Sequence, residues 1–174
     1  MHFALAIVVL LLGSGCAKGE KAGLVVRVLK MGQARISSSA YDWKPLAGVI
    51  VEIEGAPGKV LICDRSTITA KNAAGKRIPL SMMFSISGDH LTGRAQPGTS
   101  LVGLDIEIGG TNFQAYGSAM AMATLFESGK GGVTFTFEEG GKVQLGFLFR
   151  ENSDSLRSLS VGNQVVKLEF GKTG

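Results

Sequence analysis

Few side chains in this 174-residue chain could carry out catalysis, and Asp89 and His90 are the foremost candidates. The chain has two histidines, and the other is residue 2. A hydrolase would need a serine brought close to His90 in space, but the Gly-x-Ser-x-Gly elbow that presents such a serine is absent. The first interpretation of this segment is therefore an exposed turn, and the alternative is a secreted or periplasmic hydrolase site near Asp89 and His90.

Metal and cofactor motifs are also missing from the sequence. Two cysteines and two histidines are too few for a cysteine-rich zinc site. The sequence contains no phosphate-binding loop, dinucleotide fingerprint or Cys-x-x-Cys pair. We expect a protein that is not an enzyme and that uses no cofactor or metal.

The segment with the composition of a recognition loop is residues 37–43, which is small and polar and carries Tyr41 and Trp43. Aromatic side chains supply contact area at a low cost in conformational entropy, so these two residues could contact a partner. In the alternative interpretation, Trp43 packs over one end of the fold, because the apolar residues Leu46 and Val49 follow it closely.

The net charge of the chain is +4, and its basic residues are concentrated in the first half. Residues 1–100 hold 12 basic and 6 acidic residues, whereas residues 101–174 hold 6 basic and 8 acidic ones. Most basic residues are scattered singly, and aromatic residues make up 7% of the chain, so a stacking platform for nucleic acid is not expected. A mildly basic solvated surface is the first interpretation, and a face for lipid head groups or acidic polysaccharide is the second.

The clearest pattern in the sequence lies at the N-terminus. Residues 3–12 are ten consecutive apolar residues, too few to span a bilayer comfortably but typical of the apolar region of a signal peptide. Gly13, Ser14, Gly15 and Cys16 follow directly. A short apolar run, small residues and then a cysteine resemble the lipobox of bacterial lipoproteins.

That resemblance implies that residues 1–15 are removed and that Cys16 receives a lipid. Residues 16–22 would then be a short tether to the membrane. The protein would be held in the cell envelope, in the periplasm or on the cell surface. Three alternatives remain open, which are ordinary signal cleavage after Ala17, an uncleaved anchor, and an apolar run that is not a signal.

The state of Cys63 depends on the fate of Cys16. Cys63 ends the apolar run 60–62, so we expect a buried and inert thiol. If Cys16 is not acylated, a Cys16–Cys63 disulfide is possible, because exported proteins meet an oxidising compartment.

The body of the chain shows the period-two alternation of β-strands. Residues 133–137 and 143–149 flank a short Gly-Gly loop and are predicted to form a hairpin. Residues 147–149 are apolar on both faces, so this strand should be central. Residues 116–126 are interpreted as a strand or an irregular edge, and a helix remains the alternative because Ala and Met favour helices. The other predicted strands are residues 24–31, 49–54, 59–63, 66–71, 82–87, 102–108, 155–160 and 166–170.

Many short strands without intervening helices predict an all-β, antiparallel sandwich or barrel. Residues 45–54, 68–77 and 146–149 are similar to segments of the immunoglobulin-like domains that follow bacterial lipoprotein anchors. The resemblance implies an immunoglobulin-like β-sandwich over residues 23–174, with a binding or accessory role. We expect a single domain that contacts the membrane through its lipid and binds an envelope protein or a glycan.

Overall fold

Alternating residues along this chain fold into antiparallel strands with one buried and one exposed face. A computed structural model describes residues 23–37, 45–86, 104–115, 133–137 and 139–169, and no α-helix lies within them. The strands are β1 (Leu24–Ile36), β2 (Ala47–Gly55), β3 (Lys59–Cys63), β4 (Ile68–Asn72), β5 (Arg77–Pro79), β6 (Met82–Ser85), β7 (Leu104–Ile108), β8 (Thr111–Ala115), β9 (Val133–Phe137), β10 (Gly141–Phe149), β11 (Leu156–Val161) and β12 (Gln164–Lys167). A short 3-10 turn, Ser153–Ser155, precedes β11.

The strands form three antiparallel sheets arranged as a half-barrel, which confirms the all-β, antiparallel prediction. The largest sheet has the order β6-β10-β2-β1-β7-β8. A second sheet has the order β12-β11-β4-β5, and β3 pairs with β9 in a third.

The predicted hairpin between residues 133–137 and 143–149 is wrong. β9 pairs with β3, whereas β10 lies between β2 and β6. Gly55 is opposite Gly141 and Lys59 is opposite Phe137, so the pairing moves four residues along both chain segments without changing register. β2 and β3 therefore pair with β10 and β9 as one long, bent ribbon.

Glycines at one level of this ribbon produce the bend. Gly58 has φ +76° on one side, and Gly140 and Gly141 have φ +79° and +137° on the other. These left-handed conformations interrupt a ladder and are accessible to glycine at little cost. The amide of Gly58 donates to the carbonyl of Phe137 at 2.6 Å, which holds the two sides of the bend together. The Gly-Gly segment is thus a corner between sheets, not a hairpin loop.

A second bend lies in β1, which contacts two different strands. Its first part pairs with β2, and a bulge between Val28 and Lys30 interrupts that ladder. Its last part, Ala34 to Ile36, pairs with β7. β7 and β8 then form a tight hairpin through Gly109 and Gly110, both with positive φ.

Two apolar clusters fill the fold. The larger one lies among the three sheets and includes inward residues of β2, β3, β4, β9, β10 and β11. The smaller one covers the opposite face of β2 and β10, where Ile50 and Leu148 contact residues of β6 and β7. Phe147, Leu148 and Phe149 are all fully buried, so the prediction that this strand is covered on both faces is confirmed.

Several predicted boundaries differ from the structure. β1 continues to Ile36, well past the predicted end at residue 31, and β12 begins two residues before the predicted position 166. β5 and β8 were not predicted. The predicted strand over residues 116–126, the signal peptide and the tether lie outside the described residues.

Candidate binding groove at the edge of β3

The candidate site is built on β3, whose residues alternate between the core and the surface. Leu61 and Cys63 are buried, whereas Val60 and Ile62 are 50% and 51% exposed. The register with β9 places Val60 opposite Thr136 and Ile62 opposite Thr134, and both threonines are exposed. The outer face of this ribbon therefore presents four uncharged, β-branched side chains.

One edge of β3 is open. Among the described residues, β9 is the single strand that pairs with it. The carbonyl of Ile62 accepts a hydrogen bond from Thr67 Oγ1 at 2.6 Å, so this carbonyl points away from β9. Residues two apart in a strand direct their backbone groups to the same side. The N–H and C=O of Val60 and the N–H of Ile62 thus face the open edge.

This edge forms one wall of a groove of about 400 Å³. Residues 59–62 and Thr67 line the groove on the β3 side, and residues 162–164 of the β11–β12 turn line the other. Gly23 and Leu24, at the start of the described chain, complete the lining. The groove is therefore a slot between a strand edge and a turn, with exposed apolar side chains beside backbone groups that no described strand pairs with.

The loop after β3 holds Thr67 in the groove through the carboxylate of Asp64. An oxygen of this carboxylate accepts hydrogen bonds from the Ser66 hydroxyl at 2.6 Å and from the amides of Ser66 and Thr67 at 2.7 and 2.8 Å. The hydrogen bond from the Ser66 hydroxyl has the largest effect on the pKa of Asp64 and lowers it. Burial comes next and opposes this, and the amides of Thr67 and Ser66 then lower the pKa further. The ionised carboxylate thus keeps the hydroxyl of Thr67 near the edge of β3.

Lys59 is the charged residue among those lining the groove. Its side chain lies over Gly23, because a Cβ atom at Gly23 would overlap the Lys59 side chain. The absence of a side chain at Gly23 therefore lets the lysine cross this end of the groove. The positive charge favours an acidic group at that end of a bound segment.

Cys63 closes the inner side of β3 and has no chemical role in the groove. Its side chain is fully buried and its thiol is free, which confirms the predicted burial. Burial, and to a smaller extent the charge of Asp64, raises the pKa of Cys63 to about 12. The thiol stays protonated near neutral pH and is therefore a poor nucleophile.

The predicted site residues Cys16, Tyr41, Trp43, Asp89 and His90 all lie outside the described residues. Within the described ranges, no group of three or more His, Cys, Asp or Glu side chains could hold a metal ion. The same part of the chain contains no helix that is long and apolar enough to cross a membrane.

Sequence reasoning did not identify the groove. The run 60–62 was assigned to a strand, but the surface position of Val60 and Ile62 was not inferred from it. The signal was present, because an inward Cys63 implies that residues 60 and 62 point outward. The open edge of β3 depends on the order of strands in the sheets, which the apolar residues 60–62 do not reveal.

Comparison with known protein families, with curated proteins and with solved structures finds no match to this chain.

Proposed function

We propose that this protein is an exported, lipid-anchored, non-enzymatic binding module of the cell envelope. Its fold would be a variant of the immunoglobulin-like domains that follow lipoprotein anchors. Its site would be the groove beside β3, which takes an extended segment of a partner protein as an added strand. The observation that carries the proposal is the open edge of β3, with Val60 and Ile62 exposed along it.

Strand addition fits the chemistry of the groove. An extended peptide can bond to the N–H and C=O of Val60 and to the N–H of Ile62, while its alternate side chains contact the apolar side chains of β3. The carbonyl of Ile62 is already bonded to Thr67, so the added strand would end its ladder there. A polypeptide is favoured over a glycan, because backbone amides repeat at the spacing of a strand edge.

The proposed anchor fits the position of the groove. Gly23 lines the groove, and residues 16–22 connect directly to it in the sequence. A lipid on Cys16 would therefore hold the groove near the membrane, at a distance of at most about 25 Å of extended chain. Partners of the same membrane surface would meet the groove at a raised effective concentration.

A selection of short random peptides against the full chain tests the site. We expect enriched sequences with apolar or β-branched residues at alternate positions. The substitution Val60→Pro should abolish binding of the enriched peptides, because proline removes the N–H that faces the groove. The ladder with β9 uses the opposite edge and should survive, since proline is tolerated on edge strands.

A matched control is Val165→Lys, which changes an exposed valine of β12 that does not line the groove. Ile62→Lys should weaken binding, whereas Val165→Lys should leave it unchanged. If the selected peptides bind Val60→Pro as tightly as the unaltered chain, the groove is not the site. If no peptide is enriched, the strand-addition proposal fails.

A further inference from the structure

A row of basic residues crosses the outer face of the four-stranded sheet. The registers place Lys167 opposite Ser158, Ser158 opposite Lys71, and Lys71 opposite Arg77. Residues directly opposite each other in a sheet point to the same side. We call Lys167, Ser158, Lys71 and Arg77 the cationic row.

The buried residues of this sheet show to which side the side chains of the cationic row point. The next pairs along the strands join Leu159 to Ala70 and Ala70 to Ile78, and these three residues are buried. Side chains alternate along a strand, so the cationic row points to solvent. Lys71, Arg77 and Lys167 are indeed exposed. With neighbouring strands about 4.8 Å apart, the row is about 14 Å long.

The three cations of the row lack carboxylate partners within the described part of the chain. Ion pairs of Arg27 and Lys142 with acids of β2 lie on a different sheet. The guanidinium of Arg77 donates to the carbonyl of Ser66 at 2.7 Å, which positions it and leaves its charge unneutralised. No carboxylate among the described residues therefore neutralises this line of positive charge.

The surroundings of the row include both signs of charge. Arg157 is exposed beside Ser158 and is bonded to backbone carbonyls. Among the acids of the neighbouring segments, Glu151 accepts from the side chain of Asn72 at 3.2 Å, and Glu169 takes part in an interaction of its own. Asp154 is exposed at the turn before β11. These acids flank the row but do not belong to it.

We propose that the cationic row docks this face of the protein onto an anionic phospholipid surface. The cations lie on one sheet face, and a membrane offers phosphates in a plane. The adjacent row across the same face, Val165, Ser160, Thr69 and Pro79, is uncharged. Its Thr69 is buried, whereas Val165 is 68% exposed at the edge of the sheet. An apolar side chain beside cations suits the head-group region of a bilayer.

The route of the chain places this face within reach of a tether. Gly162 and Asn163 join β11 to β12 and line the groove together with Gly23. The pair Ser158 and Lys167 lies three residue pairs from the end of that hairpin, or about 10 Å. The nearness of this face to a membrane in the cell rests on the proposed lipid anchor, whereas binding to anionic vesicles does not.

Partition of the full-length Cys16→Ala chain onto lipid vesicles tests the docking. This chain cannot be acylated, and its apolar leader is the same in every variant compared, so the contribution of the leader cancels between variants. The readout is the ratio of the partition coefficients for vesicles with phosphatidylglycerol and for pure phosphatidylcholine. We expect a ratio well above one that decreases with added salt.

A triple variant, Lys71→Gln with Arg77→Gln and Lys167→Gln, should lower this ratio about a hundredfold if each cation acts near the surface. The control Lys30→Gln with Arg35→Gln and Lys142→Gln removes the same charge from β1 and β10, away from the groove, and should lower the ratio less than tenfold. Equal losses in both variants would mean that net charge alone acts, which overturns the proposal. Row-dependent binding of a soluble acidic polysaccharide without an excess on anionic vesicles would also overturn it.

Discussion

Cys63 shows how one buried side chain makes the stability of this fold depend on pH. Burial raises the pKa of its thiol from its ordinary value of 9.0 to about 12. The folded chain therefore keeps the proton that the unfolded chain releases above about pH 9. The stabilisation is fully present below that pH and is lost as the pH rises from about 9 towards 12.

We expect the free energy of unfolding to decrease by about 1.4 kcal/mol more for the unaltered chain than for Cys63→Ala between about pH 8 and pH 10. All other titratable groups are common to both chains, so their contributions cancel in the comparison. Urea unfolding at a series of pH values measures the difference. Equal pH dependence in both chains would mean that the thiol is not shielded as the structure indicates.

The burial of individual side chains was predicted correctly where the alternation of apolar and polar residues determines it. The burial of Cys63 and the two-sided burial of residues 147–149 both followed from the pattern of apolar residues. The exposure of Val60 and Ile62 was missed, because an apolar run does not state which of its faces is covered. Residues of the proposed lipid and partner sites remain predictions, since they lie outside the described residues.

At the scale of elements, the corner between β9 and β10 explains the largest error in the sequence interpretation. Two β-rich runs around Gly-Gly usually indicate a hairpin. Here Pro57 and Gly58 lie opposite the Gly-Gly segment, so both sides of a ribbon bend together. The local sequence around Gly-Gly is the same for a hairpin loop and for a corner. The two are distinguished by the pairing of β9 and β10 with strands distant in sequence.

In the largest sheet, an aromatic side chain of β6 packs directly against a glycine of β10. Gly146 is directly opposite Phe84, and a Cβ atom at Gly146 would overlap the aromatic ring. Phe84 is 2% exposed, so the ring cannot move aside into solvent. The glycine thus lets the ring lie flat against β10, as aromatic residues do over glycines in sheets.

The substitution Gly146→Ala should therefore destabilise the fold by about 1–3 kcal/mol, because the added methyl group overpacks the contact with Phe84. In a Phe84→Leu background, which removes the tip of the ring, the same substitution should cost much less. Denaturant unfolding of the two single variants and the double variant measures this coupling. Additive losses would show that Gly146 and Phe84 do not meet as described.

At the scale of the whole molecule, two proposed contact surfaces lie near the start of the described chain. The groove beside β3 includes Gly23, and the β11–β12 hairpin links the groove to the sheet that bears the cationic row. A tether at residues 16–22 would bring both surfaces close to one membrane. The row would orient the domain on that membrane, and the groove would remain open at the side for a partner segment.

The alternation of apolar and polar residues, with turn residues between the runs, predicted the all-β class of the chain. It did not predict the half-barrel, since the order of strands depends on which edges meet in space. Likewise, the excess of basic residues in the first half did not reveal the cationic row, which takes Lys167 from the second half. Sheet pairing assembled that row from residues distant in sequence.

The central claim is that this protein works while anchored to a membrane through Cys16. The most direct test is the intact mass of the mature protein from the membrane fraction of its host. We expect a chain that begins at Cys16 and carries added acyl mass. A soluble, unmodified chain that begins at another residue would contradict the claim, and would leave the groove and the cationic row without the tether that joins them to a membrane.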